Sequence, residues 1–289
     1  MNLDKWAFFS ENGLTIRRMN RAEVDLAIDW AAAEGWNPGL DDAACFYSAD
    51  PEGFFIALLD GKPVGSVSAV RYGESFGFIG LFIVRPGFRG RRLGVYLGKA
   101  ALAHLDGRNI GLDGVLKKVA NYKNFGFHYA YKNIRFEGRG SGAIRQNGEP
   151  LSANFDFAEI SAYDAKMFGC ERHEFLHAWL SRQNAVTLGI RRSNYLAGYG
   201  VIRKCRVGYK IGPLFADDVT IADELLNVLA VHANGDVFYI DVPEPNESAI
   251  RLVQNRKMKE VFATARMYSR LPPALPMGNI FGVTTFELG

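Results

Sequence analysis

The stretch that decides the fold leads from an apolar segment through a basic turn into a helix: Val84-Arg85-Pro86-Gly87-Phe88-Arg89-Gly90-Arg91-Arg92-Leu93-Gly94. Residues 76–84 predict a strand, and residues 95–105 have the apolar spacing of a helix. The first amides of a helix are free, its dipole favours negative charge, and glycine lets the backbone approach a phosphate. Arginines are unfavourable at this end unless an anion joins them. The stretch therefore predicts a pyrophosphate site, with an ordinary basic turn as the alternative.

Two motifs in this part of the chain resemble those of the GCN5-related N-acetyltransferase (GNAT) superfamily. The family motif R/Q-x-x-G-x-G/A follows a strand that ends near Val-x-Pro, and the stretch above is similar to it, with Arg92 at the usual place of the first glycine. A second segment resembles the family's Tyr-x-x-x-Gly-Phe, namely Tyr122-Lys123-Asn124-Phe125-Gly126-Phe127. The resemblance covers most of residues 13–136 and implies an acetyl-CoA-dependent N-acetyltransferase.

The resemblance also implies a role for each residue of the site. Pantetheine would pair with the main chain of Phe82, Ile83 and Val84 in a gap between two strands, and Asn121 would contact CoA. Tyr122 would be the general acid that reprotonates the CoA thiolate, since a phenol with a pKa of about 10 is protonated at neutral pH. The pyrophosphate of acetyl-CoA would bind the basic loop, which comprises Arg89, Gly90, Arg91, Arg92, Leu93 and Gly94.

The acceptor side of the site is less defined in the sequence. Trp36 follows the first predicted helix, where this superfamily shapes its acceptor pocket, so it either lines the amine site or closes the helix end against the core. The predicted strand 76–84 contains no acid that could serve as the general base. Glu74 and His128 lie just outside the motifs, and neither is assigned the role. The chemistry itself needs no covalent nucleophile and no metal, because the acetyl group passes directly from CoA to the amine in a ternary complex.

The second half of the chain echoes the first. Residues 79–82 (Ile-Gly-Leu-Phe) correspond to 211–214 (Ile-Gly-Pro-Leu), and residues 112–115 (Leu-Asp-Gly-Val) correspond to 240–243 (Ile-Asp-Val-Pro). In place of the basic loop the second half has Asp217 and Asp218, which would repel a pyrophosphate, and Val253 or a neighbour falls near the expected tyrosine. The echo indicates a duplicated fold whose second cofactor site has been lost.

These observations predict an α/β (α+β) fold with two GNAT-like domains, each a mixed, mostly antiparallel twisted sheet flanked by helices. Residues 1–140 would form the catalytic GNAT domain, residues 141–152 (with Gly142, Gly148 and Pro150) a linker, and residues 153–289 a degenerate GNAT-like domain. Locally, Asn20 and Glu23 form the signature of a capping box at the start of a helix. Residues 153–160 have a pattern that suggests a strand.

Composition and net charge limit the classes of protein to which this chain could belong. The chain has 289 residues, 48% of them hydrophobic, which is enough for two cores, and its net charge of +3 favours neither a nucleic-acid binder nor a membrane surface protein. Three separated cysteines and the lack of an apolar leader suggest a cytoplasmic protein. The expected partner is a small-molecule or peptide amine, with the oligomeric state left open.

Two rival functions remain at this stage. The chain could be a regulatory protein that binds acyl-CoA without turnover. In that case it would show no acyl transfer, whereas in an enzyme Tyr122→Phe should slow the transfer. The arginines of residues 89–92 could instead contact nucleic acid, which predicts strongly salt-dependent binding to oligonucleotides and none to CoA.

Overall fold

The computed structural model describes residues 7–11, 13–140 and 156–289, so the predicted linker 141–152 lies outside the described residues. The strands are β1 (Ala7–Glu11), β2 (Leu14–Arg18), β3 (Phe54–Leu59), β4 (Lys62–Tyr72), β5 (Phe76–Val84), β6 (Asn109–Val115), β7 (His128–Arg139), β8 (Ala185–Arg192), β9 (Tyr195–Lys204), β10 (Tyr209–Ala216), β11 (Val237–Pro243), β12 (Lys259–Tyr268) and β13 (Ile280–Gly282). The helices are α1 (Arg21–Ala33), α2 (Asp42–Ala49), α3 (Leu93–His104), α4 (Val119–Asn124), α5 (Phe157–Phe168), α6 (His173–Leu180), α7 (Val219–Val231) and α8 (Glu247–Asn255).

All described strands belong to one mixed, mostly antiparallel sheet of 13 strands. Its order is β1-β2-β3-β4-β5-β6-β12-β7-β11-β10-β9-β8, with β13 paired to β10. The two halves exchange strands at the centre: β12 from the second half lies between β6 and β7, and β7 from the first half lies between β12 and β11. Helices flank the sheet, which confirms the predicted fold class.

Two buried ion pairs join the exchanged strands. Arg135 on β7 donates two hydrogen bonds to Asp241 on β11, at 2.6 and 2.7 Å. Arg266 on β12 donates to Asp113 on β6 at 3.0 and 2.6 Å. The two aspartates are those of the sequence repeat at 112–115 and 240–243. Each pair connects the two halves of the chain, so the repeat occupies equivalent places in the fold.

Three hydrophobic cores pack against the sheet. One lies beneath α3 and one beneath α7 and α8. The third, on the opposite face, is shared by both halves: α1 and α2 meet α5 and α6 there. The C-terminal segment 280–289 runs through this shared core, close enough to Gly80 and Gly212 that a Cβ on either glycine would overlap its backbone. Those two glycines lie in the other pair of repeated segments, 79–82 and 211–214.

Local sequence determines most of the elements as expected. Asn20 accepts from the Glu23 amide at 3.0 Å, and the Glu23 side chain accepts from the Asn20 amide at 2.9 Å, which is the predicted capping box of α1. The strand predicted over 153–160 is wrong, because α5 begins at Phe157 and residues 153–155 lie outside the described ones. Asp156 caps that helix by accepting from the Ala158 amide at 2.9 Å. Helix α2 was not predicted.

Among the described helices, none has the length and apolar character needed to span a bilayer.

Candidate active site

The candidate site begins where β5 and β6 separate. Their parallel pairing ends at Ile79 and Leu112, and no described strand takes the place of β6 beside the rest of β5. A bulge against β4 follows, at Leu81, whose φ is +44° and whose carbonyl accepts from Ser66 Oγ at 2.9 Å. The remaining main chain of β5 therefore faces a gap and is available to a ligand.

The three residues predicted to meet pantetheine lie along this gap. Phe82 and Val84 turn their side chains toward α3, where a Cβ on Gly94 would lie 3.6 Å from the Phe82 ring and 3.9 Å from Val84. Ile83 points to the other face and is buried in the shared core. The structure thus places Phe82, Ile83 and Val84 on the edge that the gap exposes.

Helix α3 begins at the end of this gap without a side-chain cap. Arg92 occupies the N-cap position with a φ of +61°, and its side chain accepts no hydrogen bond from the helix. Four other helices are capped by Asn20, Asp156, Asp218 and Asn246. Arg92 therefore adopts a left-handed conformation, which glycine favours, at a position where the family motif has glycine, and the amides of Leu93 and Gly94 are left for an anion.

The arginines of the basic loop differ in what they contact. Arg89 donates from Nε to the Val84 carbonyl at 2.8 Å and from Nη2 to the Glu34 carboxylate at the end of α1. The Arg91 guanidinium lies 5.6 Å from the centre of the Phe88 ring. Arg91, Arg92 and Gly90 are exposed, and Gly90 has a φ of +84°. Arg89 therefore connects the basic loop to the segment that carries Trp36.

Tyr122 lies on α4 on the β6 side of the gap. Its ring packs on Gly114 so closely that a Cβ there would overlap it. Burial raises the pKa of the Tyr122 hydroxyl, and no side chain or carbonyl of the described residues hydrogen-bonds to it. The phenol is therefore protonated at neutral pH and has a proton to donate. Asn121, its neighbour, is exposed.

Trp36 is half-buried in the segment between α1 and α2 and packs against the shared core. Its carbonyl accepts from Arg135 Nη1 and from Lys210 Nζ, each at 3.0 Å. Trp36 thus lies on the face of the sheet opposite α3. Both predicted possibilities, core contact and acceptor wall, are compatible with this position.

Two acids on the strands around the gap are already engaged. Asp113 accepts from Arg266 and also from Asn133 Nδ2 at 2.8 Å, and Asp241 accepts from Arg135. Glu74 is exposed in the turn before β5, at the end remote from the gap, and His128 is exposed at the start of β7. The sequence did not predict the ion pairs of Asp113 and Asp241, although both aspartates lie in the repeated segments.

In the second half, the protein itself fills the equivalent places. The parallel pairing of β10 and β11 also ends after a repeat residue, Ile211, but β13 pairs with the next part of β10, and Val283 donates to the Asp241 carbonyl at 2.8 Å. Asp218 caps α7 by accepting from the amides of Thr220 and Ile221, at 2.9 and 3.1 Å. Val253 is buried in α8. The gap and the helix end that remain free in the first half are therefore both occupied here.

No cluster of three or more His, Cys, Asp or Glu side chains that could hold a metal ion occurs in the described part of the chain.

Comparison with known proteins agrees with this geometry. An acetyltransferase (GNAT) family model matches residues 21–128, and an acetyltransferase (GNAT) domain model matches residues 160–282. A holothin acyltransferase from Pseudoalteromonas sp. (strain SANK 73390) is 30% identical over 290 residues, which is 99% of each chain. The chain belongs to the GNAT superfamily. It is an N-acyltransferase with two GNAT domains in tandem.

Solved structures show the same tandem fold. A putative acetyltransferase from Pyrococcus horikoshii superposes with a TM-score of 0.82 at 23% identity, covering 97% of this GNAT chain and 98% of that one. A tandem GNAT protein from the clavulanic acid biosynthesis pathway superposes with a TM-score of 0.61 at 13% identity, covering 90% and 99%. At these identities the likeness concerns the fold.

Proposed function

We propose that this GNAT transfers an acetyl group from acetyl-CoA to the amine of a small molecule or peptide, and that the first domain, residues 1–140, carries the chemistry. The supporting observation is the difference between the two halves. The gap beside β5 is open and ends at the uncapped helix α3, whereas the gap beside β10 holds β13 and ends at a helix capped by Asp218. Residues 153–289 then form a degenerate domain that binds no CoA.

The residues at the open gap fit acyl-CoA. The free amides at the start of α3, beside Arg91 and Arg92, suit a pyrophosphate, and the unpaired main chain of β5 suits the amides of pantetheine. Acyl-CoA, when bound, supplies the activated thioester. A ligand along this edge would lie between Phe82 and Tyr122, because these residues flank the gap on the β5 and β6 sides.

Tyr122 is the proposed proton donor to the departing thiolate, since its raised pKa keeps the hydroxyl protonated. The transfer is direct. Cys45 and Cys205 are buried, and burial raises the pKa of both thiols and raises that of Cys170 to about 12. None of these thiols is prepared to form an acyl-enzyme, because the thiolate is the nucleophilic form.

The experiment combines binding with turnover. Calorimetric titration with CoA should give one site per chain, and a panel of amines with acetyl-CoA should include at least one that releases free thiol faster than hydrolysis alone. Longer acyl-CoA donors belong in the panel, because the relative that matches the whole chain is named an acyltransferase. Absence of CoA binding, or two sites per chain, would contradict the assignment of the site to the first domain alone.

A further inference from the structure

The segment that carries Trp36 makes a set of hydrogen bonds to the second domain, in addition to those it makes within the first. We define residues 34–41, between α1 and α2, as the acceptor segment. Asn37 both donates to the Val207 carbonyl and accepts from the Val207 amide, each at 2.9 Å. The Leu40 amide donates to the Lys204 carbonyl, and the Arg206 amide donates to the Pro38 carbonyl, both at 3.1 Å. The turn between β9 and β10 thus fixes the backbone of this segment through hydrogen bonds.

Lys210 on β10 holds the same segment from beneath. The residue is 2% exposed, and among the described residues its Nζ has a single hydrogen-bond partner, the Trp36 carbonyl at 3.0 Å. A buried ammonium with one neutral partner is costly, since burial removes its water. Burial and then Arg135 lower the pKa of Lys210, with Glu287 and Asp241 opposing them.

The fold does not require a lysine at this place. Lys210 precedes the last parallel pair of β10 and β11, and Phe78 precedes the last parallel pair of β5 and β6, so the two residues are equivalent in the repeat. The first half therefore fills this position with an apolar ring. A cation that is expensive to bury, and unnecessary for the fold, is accounted for by the carbonyl it binds.

The acceptor segment also reaches the cofactor side of the site. Glu34 at its start accepts from Arg89 of the basic loop, and Arg89 donates in turn to Val84 on β5. The segment thus lies between the second domain and the loop proposed to bind CoA. Its position decides where Trp36 stands relative to the gap.

We infer that the second domain positions the acceptor segment of the first, with Lys210 and the Asn37–Val207 contact as the positioning elements that set the affinity for the amine. This inference rests on the proposed function of the site. Lys210 lies on β10, whereas the gap proposed for the acyl donor lies between β5 and β6. Its replacement is therefore expected to act on the amine and to leave CoA binding unchanged.

The decisive variant is Lys210→Met, which keeps an unbranched side chain of similar length. We expect the KM for the amine to rise about tenfold, with kcat changed less than threefold and the Kd for CoA within twofold. Lys259→Met is the matched control, because Lys259 is exposed at the start of β12. Asn37→Gly is a second variant: it permits the φ of +52° at Asn37 while removing both bonds to Val207, and it too should raise the amine KM.

Hydrogen–deuterium exchange gives a readout that does not depend on turnover. In Lys210→Met and in Asn37→Gly, amides of residues 34–41 should exchange faster than in the wild type, while those of α3 should not. If both variants leave this exchange and the amine KM unchanged, the inference is overturned. If the wild type acylates no amine but the variants loosen the segment, the proposed function fails while the positioning stands. Should Lys210→Met not fold, Asn37→Gly alone decides, since it changes an exposed contact.

Discussion

At the scale of single residues, Tyr122 carries the proposed proton transfer. Its ring is held against Gly114, and burial keeps its hydroxyl protonated by raising its pKa. We expect Tyr122→Phe to lower kcat about a hundredfold, because the leaving thiolate loses its proton donor. The Kd for CoA should stay within twofold, because the ring that packs on β6 is kept. Steady-state thiol release and calorimetry with CoA measure the two quantities.

Tyr129 provides the control for this change. It is 44% exposed on β7, so Tyr129→Phe removes a hydroxyl of the same kind away from the gap. Its kcat should match that of the wild type. Equal rates for Tyr122→Phe and the wild type would remove the general-acid role, and a loss of CoA binding would show that Tyr122 acts through packing.

Residues within one local motif could be predicted from the sequence, and residues whose partners lie far along the chain could not. Arg92 stands at a glycine position of the family motif, and its positive φ explains why glycine is favoured there. Lys210 carried no signal, because the carbonyl it binds belongs to Trp36 in the other half. The roles of Asp113 and Asp241 could not be predicted for the same reason, because their arginine partners lie on exchanged strands, far along the chain.

At the scale of elements, the difference between α3 and α7 carries the assignment of the site. A Cβ on Gly94 would meet Phe82 and Val84 only at ordinary contact distances of 3.6 and 3.9 Å, so the protein itself does not require glycine there. Gly94→Ala should therefore fold normally but weaken CoA binding about tenfold or more, because a methyl group would stand where the phosphate approaches the amides. Calorimetry with CoA and thermal unfolding measure both effects.

Gly98→Ala is the control on the same helix. Its Cβ, like that on Gly94, would make ordinary contacts, at 3.7 Å from the Phe125 ring and 3.9 Å from the Phe82 ring, but one turn away from the helix start. Alanine in place of glycine should stabilise the helix by about 0.5–1 kcal/mol, while the Kd for CoA changes less than twofold. If Gly94→Ala binds CoA as Gly98→Ala does, the pyrophosphate does not rest on the start of α3.

Elements with strong local signals were predictable, and weaker ones were not. The capping box of Asn20 and Glu23 identified the start of α1, and Asp60-Gly61, a dipeptide typical of tight hairpin turns, joins β3 to β4. Residues 153–160 were predicted as a strand, whereas Asp156 is the N-cap of α5, which begins at Phe157. Strand β13 has three residues and depends on the gap in the second half, which no local pattern reveals.

At the scale of the whole molecule, the two halves form one sheet through the exchange of β7 and β12. The repeat predicted two similar halves but not their interlocking, because the pairing of β12 with β6 joins residues about 150 positions apart, as in the Arg266–Asp113 pair. With continuous pairing and a shared core, we expect the halves to unfold together. Buried charges that cross between them then act on the stability of the entire chain.

The final prediction concerns Asp42, a fully buried carboxylate of α2. It accepts from Arg182 Nη1 at 2.9 Å and from Arg203 Nε at 3.1 Å, both in the second half. Burial opposes its ionisation, but Arg203, Arg182, the hydrogen bond from the Gly39 amide and Lys210 together outweigh burial and lower its pKa from 3.8 to about 2. The stabilisation, roughly 2 kcal/mol, is thus complete above pH 4 and is lost as the pH falls through about 2.

Asp42→Asn should lower the free energy of unfolding by about 3 kcal/mol at pH 7, because it leaves two buried guanidinium groups without their counter-charge. The difference in the free energy of unfolding between wild type and variant should decrease as the pH falls from 4 toward 2, where the wild-type carboxyl takes up its own proton. Urea unfolding at pH 7, 4 and 2.5 measures this difference. Asp25→Asn is the control, because the Arg21–Asp25 pair on α1 is exposed and should contribute less than 0.5 kcal/mol at any of these pH values. If the difference in the free energy of unfolding stays constant across the pH series, Asp42→Asn destabilises the protein through packing and not through the loss of the charge that joins the two halves.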